Sequence, residues 1–330
     1  MLHLHYLVPC PPEDDLTTLA RSNLASVRLR AAPVLRIARA LEWRVNFGEV
    51  ISENPSIVLI GKIGSQNIEV RQKLWLEEIQ RMKQNSQIFL DYTDHHLGFN
   101  SPMTSFYEAA IQLVDGCIVP SASMASLLTK FWKGPISIIE DPIEVECLAP
   151  KEVSKKPITL LWFGHPTNID FLIKFIETGF LEGDSIRFIV LSNEVGLNHF
   201  ASSNLSSKAN IEFNLALWSS ENMTEAARIA DMCIIPSDLN DSKKRGASSN
   251  RLITALALGL PTAADNLPSY QEFAKYYSSL QGNDFRDILN DPAKYGSRVS
   301  KAQIELIPRF RMHKIEQDWE NFLLNSVAKN

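Results

Sequence analysis

Residues 242–251, SKKRGASSNR, set Lys243, Lys244 and Arg245 beside Gly246, followed by Ser248, Ser249, Asn250 and Arg251. The residues that come next, LITALALG, are apolar around most of a helical circumference, so the helix they form is a buried one. A buried helix cannot hydrate its first amides, and its positive dipole end adds to the formal charge of Lys243, Lys244, Arg245 and Arg251. Together these groups make a site for an anion of the phosphate or pyrophosphate kind. Asn250 or a neighbouring serine is the expected N-cap, and Gly259 with Pro261 the expected stop. The lysines alone read equally as a solvated loop. Their place directly after an apolar strand run, DMCIIPSD, favours a ligand.

A second concentration of chemistry is FLDYTDHHLGFN, where Asp91, Asp94, His95 and His96 gather at the carboxyl end of an apolar run. Carboxylates and imidazoles in such a place can move protons, and Asp94 and His95 are the catalytic candidates. The plainer alternative is a polar loop in which Asp94 caps the next helix. His165, in FGHPTN, sits between a strand and a helix that Thr167 or Asn168 could cap; it is either a site residue or a turn histidine. Arg28 and Arg30, in SVRLR, are spaced to clamp an anion, or are simply exposed. Lys62 follows the run SIVLIGK, and Asp141 and Glu144 precede a linker. No paired-aspartate metal motif stands at a strand end, and DLND at 238–241 reads as a turn, so no metal is expected.

The elements that must hold these groups alternate along the whole chain. Strand runs LHLHYLV, WRVNFGE, SIVLIGKI, QIFLDYT, DGCIVPS and ISIIEDP are separated by amphipathic stretches at 21–42, 69–84, 102–113 and 121–132. Apolar runs without alternation, divided by helices, are what parallel strands buried on both faces look like. ECLAPKEVSKKP, with two prolines and three lysines, interrupts the pattern. It then restarts with ITLLWFGHP, a helix near 168–181, SIRFIVLS, ANIEFNLALW, a helix at 221–230, DMCIIPSD, a helix at 249–258 and PTAAD, and ends in a helical tail. The expected fold class is α/β: two tandem doubly wound, Rossmann-like domains with a ligand cleft between them. The expected boundaries are 1–148 and 158–330 around a linker at 149–157, with the last helix packing back on the first domain.

Bulk properties narrow the function. At 330 residues the chain is long for one core, and a net charge of −5 argues against nucleic acid as a partner. The 4 cysteines are scattered, and Cys117 and Cys233 fall inside apolar runs, so neither a disulfide framework nor a zinc knuckle is suggested. MLHLHYLVPCPP lacks a basic leader and reads as a first strand, and no apolar run is long enough to cross a bilayer. A cytoplasmic protein is the expectation, with a place at the inner face of a membrane left open.

Several of these stretches carry a resemblance. ADMCIIPSD followed by KKRGASSNRLITALALGLPTAADNLPSY resembles the donor-binding segment of GT-B glycosyltransferases, LLWFGHPTN their first C-terminal strand and glycine turn. DGCIVPSASMASLL, IIEDPIEV and SVRLRAAPVLRIARALEWRV are similar to further segments of the same enzymes, in the same order along the chain. The resemblance is nearest to retaining transferases of bacterial surface polysaccharides. It implies transfer of a sugar from a nucleotide-activated donor to a glycan, lipid-linked or other glycoconjugate acceptor, with the nucleotide sugar as co-substrate and no cofactor. It also implies donor contacts from Lys243, Lys244, Arg245, Ser248, Ser249, Asn250 and Arg251, with the His165 turn facing the donor. Acceptor contacts would come from Arg28, Arg30 and Lys62. Many retaining members carry a Glu-x7-Glu pair around this helix; here Ser248, Ser249, Asn250, Arg251 and Thr254 occupy it, so ribose recognition must differ. A nucleotide-sugar epimerase or hydrolase on the same fold, and a non-catalytic nucleotide-sugar binder, are the alternatives.

Overall fold

The computed structural model describes residues 1–10, 15–22, 24–51, 54–154, 156–203, 205 and 210–328. Asn23 of the first expected helix, Lys155 of the expected linker and Ala209 at the edge of an expected strand lie outside the described residues. The chain forms two compact units. One comprises Met1–Pro142, Arg245–Ser248 and Met312–Asn330, the other Ile143–Lys244 and Ser249–Arg311.

In the first unit the strands are β1 (His3–Leu7), β2 (Arg44–Gly48), β3 (Ile57–Ile60), β4 (Gln87–Asp91), β5 (Gly116–Val119) and β6 (Ile136–Ile138). They lie in the order β2-β1-β3-β4-β5-β6 and pair in parallel throughout. The intervening helices are α1 (Leu16–Ala20), α2 (Ala32–Ala40), α3 (Ile68–Met82), α4 (Thr104–Ala110) and α5 (Ala122–Leu128). Trp75 and Ile79 of α3, Phe106 of α4 and Met124 of α5 cover one face of the sheet. The amphipathic stretch expected at 21–42 is broken: a π-helical turn over Val27–Ala31 precedes α2. Pro33 explains the break, since a proline without N–H suits only the first turn of a helix.

The second unit carries β7 (Ile158–Phe163), β8 (Ile186–Ser192), β9 (Ile211–Leu217), β10 (Met232–Ile235), β11 (Thr262–Ala264) and β12 (Ser278–Ser279), in the order β12-β11-β10-β7-β8-β9. All its pairings are parallel. Its helices are α6 (Ile169–Glu177), α7 (Glu194–Ala201), α8 (Ser220–Ile229), α9 (Asn250–Ala257), α10 (Gly282–Asn290) and α11 (Gly296–Glu305). Strand order reverses between β7 and β10, which makes their carboxyl ends the switch point where such sheets bind ligands. The fold is thus two doubly wound, Rossmann-like units. The last helix, α12 (Met312–Val327), lies with α2 over the sheet of the first unit, burying Ile315, Trp319 and Leu323 at helical spacing.

Helix α9 matches its sequence in being buried from Leu252 to Ala257. It ends as a Schellman motif: Gly259 at φ +75° donates to Leu256 O (3.1 Å) and Leu260 N to Ala255 O (3.1 Å). A Cβ at Gly259 would stand 2.5 Å from Leu148 O, so glycine is required twice over.

His5 in β1 is buried, with Nε2 3.4 Å from Gly48 O and Nδ1 without a hydrogen-bond partner among the described residues. Burial lowers its pKa to about 4. The unfolded imidazole takes its proton near pH 6.5 and the folded one only near 4, so stability falls as pH drops through that window. The loss amounts to about 3 kcal/mol for this one group. His5→Leu should lose correspondingly less between pH 7 and pH 4 in urea unfolding. Equal losses in the two proteins would contradict the assignment.

Candidate functional site

In the first unit the strand ends converge on a buried charge. Asp91 closes β4 and is 0% exposed, and Arg30 reaches it from the π-helical turn at 1% exposure. Arg30 Nη2 donates to Asp91 Oδ1 at 2.7 Å and Nε lies 3.1 Å from Oδ2. Arg30 Nη1 donates to the carbonyls of Ile139 (2.5 Å) and Glu140 (3.2 Å) and lies 3.5 Å from Asp141 Oδ1. Tyr6 OH donates to Asp91 Oδ2 at 2.6 Å, and burial, with Asp91 beside it, holds that phenol well above its ordinary pKa. The Trp319 ring lies 5.0 Å below the guanidinium. Burial raises the pKa of Asp141 despite Arg30, and Ser248 hydrogen-bonds to that carboxyl.

This arrangement separates the two arginines expected to act as a clamp. Arg30 is spent inside the unit, while Arg28 Nη1 donates to Ser22 O at 2.5 Å. The physical reason is the wide π-helical turn, which sends the two side chains apart and aims Arg30 at the buried carboxylate of Asp91.

Beyond β4 the chain turns through Asp94, His95 and His96. Asp94 and Lys62 form an ion pair at 41% and 38% exposure, so two of the sequence candidates meet, in solvent. His95 is buried, its Nδ1 3.2 Å from Tyr92 OH, with the rings of Phe99 and Phe131 at 5.4 and 6.2 Å. Burial lowers its pKa, and Arg245 and Lys130 lower it further. His96 is buried too, stacked on Tyr107 and bonded to Ser101 Oγ at 3.0 Å. Gly246 packs so closely on this turn that an added Cβ would meet His95 Cβ at 2.7 Å.

In the second unit the switch point gathers Gly164 and His165 after β7 with Pro236 and Ser237 after β10. Arg251, in the first turn of α9, extends Nη2 to Ser237 Oγ at 3.5 Å. Its Nη1 is buried without a hydrogen-bond partner among the described residues, although the guanidinium also interacts with the buried phenol of Tyr270. An added Cβ at Gly164 would lie 3.6 Å from that Nη1, which places the unused donor at the glycine turn. Lys244 Nζ donates to Asn168 Oδ1 at 2.5 Å and lies 5.0 Å from the centre of the Phe171 ring. Ser249 occupies the N-cap position of α9, and no side chain caps the helix. The expected cap is corrected here: Asn250 Oδ1 accepts instead from Thr254 Oγ1 at 3.2 Å.

His165 is exposed and caps a short 3₁₀ turn, its Nδ1 3.4 Å from Thr167 N. Lys243 is exposed, its backbone N–H bonded to Asp241 at 2.9 Å. The residues grouped in sequence as donor contacts therefore divide, Arg245 and Ser248 counting with the first unit and Lys243, Lys244, Ser249, Asn250 and Arg251 with the second. Sequence reasoning passed over Ser237 and Asp265, which are linked by Ser237 N donating to Asp265 Oδ2 at 2.8 Å. The signal was available, since each closely follows a strand of the switch region.

No family model and no curated protein sequence matches the chain. Among solved structures it is similar to TarM, with a TM-score of 0.58 and 14% identity over 88% of this chain and 57% of TarM. The chain thus spans just over half of TarM; a variant of S. aureus TarM has been crystallised with fondaparinux, alpha-GlcNAc-glycerol and UDP. AviGT4, a glycosyltransferase involved in avilamycin A biosynthesis, gives 0.54 at 10% identity over 98% of both chains. The Methanocaldococcus jannaschii UDP-GlcNAc 2-epimerase, in complex with UDP-GlcNAc and UDP, gives 0.51 at 12% identity over 98% of this chain and 100% of its own. At these identities what is shared is the fold, and that fold is GT-B.

The buried pair of the first unit yields a stability test. Removing one member of such a pair strands the other, at about 3–5 kcal/mol. Arg30→Met should lower the unfolding free energy by that amount, and adding Asp91→Leu should recover part of it. A loss below about 1 kcal/mol would show that the pair is solvated after all.

Proposed function

We propose that the chain is a glycosyltransferase that moves a sugar from a nucleotide-activated donor to a glycan or glycoconjugate acceptor. The observation that carries this reading is the unpartnered Nη1 of Arg251 at the Gly164 turn, beside an uncapped start of α9 and near Lys244. A donor diphosphate supplies the oxygens such a site lacks. As the glycosidic bond breaks, negative charge grows on the leaving phosphate, and fixed N–H donors there lower the barrier without reorganising. Arg251, Lys244 and the first amides of α9 take that role. The fold supports the reading, since proteins of this fold include a glycosyltransferase and a UDP-GlcNAc 2-epimerase.

On the acceptor side, His95 is the proton acceptor, its pKa lowered by burial and by Arg245 and Lys130 so that the unprotonated imidazole is favoured. Asp94, held by Lys62, is its partner in orienting the acceptor hydroxyl. Retention of anomeric configuration and independence from metal belong to the same reading. The acceptor is a glycan or a lipid-linked or other glycoconjugate, the latter consistent with work at the inner face of a membrane. The epimerase alternative is separated by incubating donor alone, where an epimer or free sugar would form without an acceptor.

Arg251→Gln should lower kcat/KM for the donor by roughly 10²–10³ fold, the usual effect of removing one donor from a charge-stabilising site. Binding of the nucleoside diphosphate product should weaken in parallel, with the unfolding midpoint little changed. Turnover within about threefold of wild type would remove the basis of the proposal.

A further inference from the structure

Beside the switch point the second unit holds a cavity of about 260 Å³ that the phosphate chemistry leaves unused. Phe171 and Phe175 of α6 and Phe180 just beyond it form an aromatic side, with the Phe175 and Phe180 rings stacked 6.3 Å apart at 26°. Opposite them stand Asp238, Asp265 and Gln281, from the ends of β10, β11 and β12. Asp265 is fixed by Ser237 N (2.8 Å) and by the Gln281 side chain, so its carboxylate is held in place.

We propose that this cavity binds a sugar ring. A pyranose has one face of C–H groups, which lies well on phenyl rings, and a rim of hydroxyls. Carboxyl oxygens accept hydrogen bonds, so Asp238 and Asp265, on different strand ends, suit a ligand whose donors point in several directions, as the hydroxyls of a sugar do. A wall of apolar rings facing a few fixed polar groups is the general form of a small-ligand site. The cavity adjoins the phosphate locus through two residues. Ser237 accepts from Arg251 through Oγ while its N–H holds Asp265, and Phe171 lines the cavity with Lys244 near its ring. A sugar could therefore arrive as the glycosyl group of a nucleotide sugar, a source that rests on the proposed function, or as one unit of a glycan chain, which does not.

The test uses the full chain and two variants, Phe180→Ala, at an exposed ring, and Asp265→Asn, which keeps an acceptor oxygen for Ser237. Each is titrated by calorimetry and ligand-observed NMR. The probes are methyl glycosides of glucose, galactose, mannose and N-acetylglucosamine, UDP and GDP, and UDP-glucose, UDP-GlcNAc and GDP-mannose. The cavity should give binding of at least one sugar-bearing probe that weakens about tenfold in both variants, with UDP and GDP held within about twofold. Loss confined to the nucleotide sugars assigns the site to the donor's glycosyl group; loss with the methyl glycosides assigns it to a glycan unit. Unchanged binding of every probe in both variants overturns the proposal. So does a wild-type protein that binds no glycoside and holds each nucleotide sugar no better than its diphosphate. Failure of UDP and GDP themselves to bind would count against the phosphate site, and the glycoside titrations would still decide the cavity.

Discussion

A buried N–H without an acceptor is unfavourable, at about 1–3 kcal/mol for each donor left unmade, and Nη1 of the partly buried Arg251 is such a group among the described residues. Arg251 is kept in that state by everything around it. Helix α9 is buried from Leu252 to Ala257 and stopped by Gly259, which anchors the turn that carries Arg251. Ser237 takes the other terminal nitrogen, and a side chain at Gly164 would press on the Trp162 ring (3.1 Å) and on Arg251 Nη1 (3.6 Å). On the proposed function, a phosphate oxygen of the donor completes the set.

Arg30 shows the opposite use of the same side chain. Its three nitrogens are engaged by Asp91 and by the carbonyls of Ile139 and Glu140, with Trp319 beneath. Its work is to knit the carboxyl ends of β1, β4 and β6 together through Tyr6, Asp91 and the chain leaving β6, and so to fix the base of the turn that carries Asp94, His95 and His96. One arginine completes a structure; the other, on the proposed function, meets the donor.

The sheets were legible because the inner parallel strands, buried on both faces, read as unbroken apolar runs, while the partly exposed edge strands β2 and β9 mix polar residues among the apolar ones. Helix α7 was not, since EVGLNHFA is short and weakly patterned; only Asn193, whose side chain accepts from Gly196 N, announces it. Strand β12 is two residues long, too brief to carry a period. For the site, the clustering of Arg251, Lys244 and the start of α9 could be read from neighbouring letters. The engagement of Arg30 with Asp91, 61 residues away, could not, and a spacing that suggested a clamp concealed a buried pair. Ser237 and Asp265 were hidden for a related reason: each follows its strand in plain view, but their bond joins segments that meet only in the folded sheet.

The likeness to TarM, AviGT4 and the archaeal epimerase is one of fold, and chemistry differs among proteins that share it. What sets the chemistry here must therefore be sought at the atoms of the switch point. The most direct measurement is a crystal structure of the chain with a nucleoside diphosphate. A phosphate oxygen should stand about 3 Å from Arg251 Nη1, with the first amides of α9 turned to the same group. A diphosphate bound elsewhere while that nitrogen still faces no acceptor would contradict the account.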